Sequence, residues 1–160
     1  MDLIDKILQD WERERPDIDC GGKAVVCRIL RLYSIYIDKF EARLKPLAIT
    51  PNVFSVLVTI RRRGPNAEVN VKDIIDEVLV TSGGMSNLLL RIIKTKLIKK
   101  RPDPKDARSM LIKLTSHGLT IVDKAMEIQA ACEREMVNTL TSEENAQLAL
   151  LLKKLLKGNA

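Results

Sequence analysis

The spacing of apolar residues between positions 23 and 47 constrains this 160-residue chain more than any other feature. Val26, Leu30, Tyr33, Ile37, Phe40, Leu44 and Leu47 step by 4, 3, 4, 3, 4 and 3, which is a heptad seam on one helix. Ile29, Leu32 and Tyr36 widen that face. A helix with two apolar stripes must touch two surfaces. The core is one candidate and a second subunit is the other. The end of the chain repeats the problem. Thr141 with Glu144 is a capping box for a helix over 142–157, and that helix carries Leu148, Leu150, Leu151, Leu152, Leu155 and Leu156. It is too apolar all round to lie exposed on a monomer.

Between these helices the sequence predicts a compact middle. Leu3, Ile4, Ile7, Leu8 and Trp11 first give a short amphipathic helix over 2–13, which Pro16 and the Gly21-Gly22 pair break. Thr50-Pro51 supplies an N-cap hydroxyl and a proline at the first helical position. The helix it opens runs to about Arg63, buries Phe54, Leu57 and Val58, and ends at Gly64-Pro65-Asn66. Asn70 followed by Asp73 resembles a capping box for a short helix over about 71–79. The turn Val80-Thr81-Ser82 leads into a helix over about 82–95. Two short helices joined by a three-residue turn make a helix-turn-helix. Residues 98–101 and 109–114 then predict a β-hairpin with a long polar tip from Pro102 to Arg108. Thr115 caps a helix over 116–137 carrying Leu119, Val122, Ala125, Met126 and Met136.

Composition narrows the function. His117 is the one histidine, so a His-rich metal site is excluded and a triad has a single candidate base. With no metal cluster and no nucleophile elbow, the sequence reads as no enzyme, with no cofactor and no metal. Cys20, Cys27 and Cys132 are odd in number and form no CxxC pair, against a disulfide framework and a structural zinc. Reduced thiols fit a cytoplasmic protein. The start Met1-Asp2-Leu3-Ile4-Asp5 is acidic where a signal peptide is basic, and no apolar run reaches the ~18 residues of a membrane span. Aromatics at 3% are too few for a base-stacking surface on single strands.

The net charge of +6 is informative through its location. Residues 82–113 hold nine basic groups, Arg91, Lys94, Lys96, Lys99, Lys100, Arg101, Lys105, Arg108 and Lys113, against Asp103 and Asp106. That segment is +7, while the other 128 residues hold 18 basic and 19 acidic groups. The excess coincides with the second helix of the helix-turn-helix and its hairpin, which points to duplex DNA rather than a generic solvated face. On the helix over 82–95, Met85, Leu88, Leu89 and Ile92 mark the inner side. The outer side carries Gly83, Ser86, Asn87, Leu90, Arg91 and Lys94. Asn suits an adenine edge, Arg a guanine or phosphate, Ser either, and an exposed Leu a thymine methyl. Gly83 and Gly84 allow close backbone approach at a helix N-terminus. At the hairpin tip, beside Lys105, Arg108 is the candidate for insertion into a narrow minor groove. Asp106 either fixes that guanidinium for the purpose or forms a pair with it that only stabilises the loop.

These residues resemble a known family. Gly64-Pro65, the run from Val80 to Asn87, Leu97-Ile98, the run from Arg101 to Ser109 and Leu114-Thr115-x-x-Gly118 are similar to the MarR family of bacterial transcriptional regulators. The similarity extends from about Arg28 to Ala125, and the element order matches over the whole chain. It implies a mainly α fold, a winged helix-turn-helix with a β-hairpin wing, flanked by long terminal dimerisation helices. It implies dimerisation segments at 1–47 and 116–160 and a DNA-binding region at 48–115. A homodimer on a pseudo-palindromic operator follows, usually as a repressor relieved by a small phenolic or anionic effector. By position, Ser82, Ser86, Asn87 and Arg91 fall on the recognition helix, and Asp106 and Arg108 in the wing. The chain departs from the pattern at Lys96, where the family usually has Gly, which predicts a strained or differently capped helix end. Ala107 replaces a frequent Arg, and the N-terminal helix with its Gly-Gly break is longer than the family minimum.

Two alternatives stay open beside the effector-released repressor. Some family members sense oxidants through a cysteine near the place of Cys27, where the other reading is a small buried hydrophobe. The winged helix can also serve protein contacts without DNA. An effector site is expected between the helices over 23–47, 51–63 and 116–137, with Arg28, Arg31 and Tyr36 as candidate partners of an anionic or aromatic ligand.

Overall fold

The computed structural model describes residues 2–78 and 82–159, without the side chains of residues 76, 82, 83, 107 and 108. The element order is α1 (Leu3–Glu14), α2 (Gly21–Leu44), a 3-10 turn (Lys45–Leu47), α3 (Pro51–Arg61), β1 (Val69–Asn70), α4 (Val71–Glu77) and α5 (Ser82–Lys94). β2 (Ile98–Asp103), β3 (Asp106–Leu114), α6 (Ser116–Val137) and α7 (Ser142–Gly158) complete it. The fold is mainly helical with one small antiparallel sheet, the winged helix-turn-helix that the spacing predicts. The turn expected at Val80 and Thr81 lies outside the described residues. The chain forms two compact units, Met1–Lys39 and Phe40–Ala160.

In the first unit, Asp2 and Asp5 cap α1 reciprocally, each carboxylate accepting the other's backbone N–H at 2.9 Å. Arg28 of α2 ties that cap down, donating to Asp2 at 2.9 Å, to Asp5 at 2.5 Å and to the Ala24 carbonyl at 3.0 Å. The backbone N–H donors, and after them Arg28, hold both carboxyls below their ordinary range. Ile4 is buried, yet Val25, Val26, Ile29, Leu30, Leu32, Tyr33 and Ile35 are all exposed. The heptad seam therefore divides: its first three positions face out, while Phe40 and Leu44 are buried.

In the second unit, α3 packs on α6 and on the sheet, and Arg61 meets Asp123 at 2.7 Å. Phe40 and Phe54 stack edge-to-face with centroids 5.2 Å apart. Phe54 and Leu57 are buried as expected, but Val58 is only half-buried, and Val56, Thr59 and Ile60 take its place in the core. α3 has neighbours on several sides, so its buried surface exceeds a single stripe. Arg43 bridges to Glu135 of α6 through two bonds of 2.7 and 2.9 Å. α7 begins at the expected Thr141–Glu144 capping box. It buries none of its residues, and Leu156 is 74% exposed.

The sheet corrects the sequence at three points. Its order is β1-β3-β2, all antiparallel, and β1 was not foreseen because two residues carry no alternation. The long tip expected from Pro102 to Arg108 is a tight turn at Pro104 and Lys105, because both strands run on to Asp103 and Asp106. Pro102 is tolerated because β2 is an edge strand, where a missing N–H breaks no ladder. The register slips between Pro102 and Asp103, and Asp103 closes the turn by accepting the Lys105 N–H at 2.9 Å. Finally, Asn70 caps α4 alone, accepting from Lys72 at 2.9 Å, while Asp73 turns to Arg63 at 3.3 Å. No described helix is long and apolar enough to cross a membrane.

Candidate nucleic-acid interface

α5 carries the surface at issue, and its burial pattern sets which side is offered. Met85, Leu88, Leu89 and Ile92 are buried, and this fixes Ser86, Asn87, Leu90, Arg91 and Lys94 on the exposed side. Leu90 is 52% exposed and lines an apolar groove together with Leu89 and Ile93. Gly84 is exposed near the helix start. The side-chain roles expected at Ser82 and Gly83, and at Arg108 in the wing, lie outside the described residues.

The far end of α5 explains the family motifs physically. Lys96 has φ +58°, a left-handed conformation that glycine adopts without strain. It makes a two-bond helix stop, with Lys96 N–H donating to Ile93 at 2.9 Å and Leu97 N–H to Ile92 at 3.4 Å. Ile92 and Leu97 are both buried beneath it. The expected departure at Lys96 is thus a backbone held left-handed at some cost, not a different cap. The Leu97 carbonyl then receives the Thr115 N–H at 3.0 Å, and the Thr115 hydroxyl donates to Lys96 at 2.7 Å. Thr115 also accepts the Gly118 N–H at 2.9 Å and so starts α6. A Cβ on Gly118 would sit 1.9 Å from the Leu97 carbonyl oxygen. Leu-Thr-x-x-Gly is therefore the joint that seats α6 against the end of α5.

A second joint sets the wing. The Asn70 amide that caps α4 with its oxygen donates its N–H to the Ser109 hydroxyl on β3. Glu68 grips Arg101 on β2 through two bonds of 3.0 and 2.5 Å. Arg63 and Arg62 both bond Glu77, which fastens α3 to α4. Each of these tertiary links joins residues far apart in sequence, so no local pattern signals it. Lys105 and Asp106 lie exposed at the wing tip. Between α5 and the sheet runs an apolar groove of about 240 Å³ with Ser86 and Lys100 at its edge.

The three residues assigned to an effector lie on α2. Arg28 is committed to the α1 cap, Arg31 lines a neighbouring hollow of about 280 Å³, and Tyr36 is half-buried farther along.

A helix-turn-helix with a basic hairpin wing defines a winged-helix protein of the DNA-binding class. The family model described as the MarR family matches residues 49–109. The chain is 34% identical over 114 residues to the multiple antibiotic resistance protein MarR of Salmonella typhimurium, covering 71% of this chain and 77% of that one. It is 26% identical over 150 residues to the HTH-type transcriptional regulator PecS of Dickeya dadantii, covering 93% and 90%. A mutant E. coli MarR solved in complex with operator DNA superposes with TM-score 0.74 at 27% identity, over 98% of this chain and 99% of that chain. The chain belongs to the MarR family of transcriptional regulators.

Proposed function

We propose that two copies of this chain bind a pseudo-palindromic operator and repress transcription until a small aromatic or anionic effector releases them. The observation that carries this reading is the exposed row Ser86, Asn87, Leu90, Arg91 and Lys94 on α5, beside a wing tipped by Lys105. In this reading α5 lies in the major groove. Asn87 reads an adenine edge, Arg91 and Lys94 take guanine or phosphate, and Leu90 meets a thymine methyl. Ser82 and Gly83 bring the start of α5 against a phosphate. Lys105 and Arg108 reach the flanking minor groove, with Asp106 steadying Arg108. Segments 1–47 and 116–160 join the two copies, and 48–115 binds DNA. The uncovered apolar stripes of α2 and α7 support the pairing, since a lone chain gains nothing by exposing them.

Release works as a population shift. The two recognition helices must sit about one DNA turn apart, roughly 34 Å. An effector that favours another spacing lowers operator affinity by its differential affinity for the two states. The Arg31 hollow offers a cation to such an anion; Tyr36, farther along α2 and outside that lining, is a separate candidate for an aromatic ring. The Bordetella bronchiseptica regulator BpsR, which shares the fold at 21% identity, has its DNA binding regulated by 6-hydroxynicotinic acid. The test is a gel shift at low salt with genomic fragments, followed by titration with aromatic acids. Sequence-selective shifts that an aromatic acid reverses are expected. Absence of any selective shift would overturn the DNA reading, and shifts that no acid reverses would overturn the effector.

A further inference from the structure

We infer that Glu68 is a positioning residue that holds Arg101 back from the DNA, and so limits how many phosphates the wing engages. This rests on the DNA reading above. Glu68 stands just before β1, in a shallow hollow of about 180 Å³ on the wing where Lys99, Lys100, Arg101 and Lys113 converge. Among the described residues it is the one carboxylate lining that hollow. Both of its oxygens are taken by Arg101, and the guanidinium folds back further to the Pro102 carbonyl at 3.3 Å. Lys113 is drawn aside too, to the Asn66 side chain at 3.3 Å.

Position makes the restraint matter. Arg101 is three residues from Pro104 at the tip, on the order of 10 Å along a strand rising ~3.3 Å per residue. A guanidinium released there can reach the backbone beside the groove that the tip enters. Stability does not account for the pair, because it is exposed: the side chains are 49% and 35% accessible. Pairs of that kind contribute little to folding. Glu68 also stays ionised at neutral pH, since Arg101 foremost, then Lys113 and Lys99, holds its carboxyl below the ordinary range. The arrangement therefore removes one cation from a surface whose attraction for DNA grows with each cation offered.

The experiment measures affinity for an operator-bearing duplex against salt, for the parent, Glu68→Gln, Glu68→Asp and Arg101→Gln, and for Glu68→Gln combined with Arg101→Gln. One added phosphate contact steepens the log–log slope by ~0.9, so Glu68→Gln should lose about 3.5-fold more affinity than the parent between 50 and 200 mM salt. At low salt it should bind several-fold tighter, to operator and random duplex alike, because phosphate carries no sequence. Glu68→Asp should keep the parental slope. In the Arg101→Gln background, Glu68→Gln should leave the slope unchanged. An unchanged slope for Glu68→Gln in a folded protein overturns the inference, as does an equal gain without Arg101, which would make Glu68 a simple repelling charge. A parent that shows no salt-dependent duplex binding would instead overturn the DNA reading itself.

Discussion

The outward face of α5 and the outward face of α7 are both exposed helix surfaces, yet they are built oppositely. α5 turns out Ser86, Asn87, Arg91 and Lys94 with a single leucine, whereas α7 turns out Leu148, Leu150, Leu151, Leu155 and Leu156. The supporting structure differs as well. Behind α5 the described joints are tied, through the Lys96 stop, the Thr115 bonds, the Asn70–Ser109 link and the Gly118 contact. α7 buries nothing and holds its first turn by its own capping box. The contrast teaches that one face is pre-shaped for a polar target, and the other is left for an apolar partner to complete. Shape must be paid for in advance where specificity depends on hydrogen-bond geometry; burial needs only a matching apolar surface.

The largest expected effect breaks the α7 side. Leu148→Glu combined with Leu151→Glu places two carboxylates on the apolar stripe, where pairing would bury them. The helix itself should survive, since neither side chain is buried in the single chain. Light scattering should report a monomer with unchanged helical circular dichroism. Operator affinity should fall by about two orders of magnitude or more, the avidity of a second half-site. A dimer of parental affinity would mean that α7's leucines face something other than a second copy.

The next breaks the α5 side without touching its surface. Gly118→Ala drives a methyl into the Leu97 carbonyl, which is backbone and cannot swing away. Overpacking of this kind costs about 1–3 kcal/mol, and a backbone clash belongs at the top of that range. Urea unfolding should show a lower midpoint, and DNA binding should weaken together with it. If stability held while binding vanished, Gly118 would be acting at the interface rather than in the joint.

Asn87→Ala sharpens the comparison by leaving both scaffolds intact. Loss of an Asn–adenine pair removes about 1–3 kcal/mol of discrimination at one position in each half-site. Selection from randomised operators should return a consensus relaxed at that position alone. The same consensus as the parent would remove Asn87 from the base-reading set.

The difference between the faces also marks how far the sequence could be read. Helices announced by a local signal were legible: Thr50-Pro51, Thr115 and Thr141–Glu144 each fix a start within a few residues. So was the outward side of α5, because Met85, Leu88, Leu89 and Ile92 repeat at the helical period. β1 is not, since two residues have no period, and the wing tip reads as a long loop because Pro102 breaks a strand unless that strand is an edge. The Glu68–Arg101 and Asn70–Ser109 links span 33 and 39 residues, and no pattern in one chain announces a pair at that range.

Lys96 gives the smallest effect and joins the two lines of reasoning. The family pattern alone marked it as a departure, and the backbone shows what the departure costs. A β-carbon at φ +58° crowds the following carbonyl, by roughly 1–2 kcal/mol for an ordinary residue. Glycine removes that crowding but gives the unfolded chain more freedom to lose, so Lys96→Gly should stabilise by only about 0.5–1 kcal/mol. The urea midpoint should rise by that gain divided by the slope of the transition, with the slope unchanged. Operator affinity has a separate expectation. Lys96 follows the last turn of α5 and is exposed, so its charge is available to a phosphate. If it makes that contact, Lys96→Gly stabilises the fold and weakens binding, with a salt slope shallower by ~0.9. A stabilised protein with parental slope would show that the lysine is only tolerated at the stop, and that the reading face ends at Lys94.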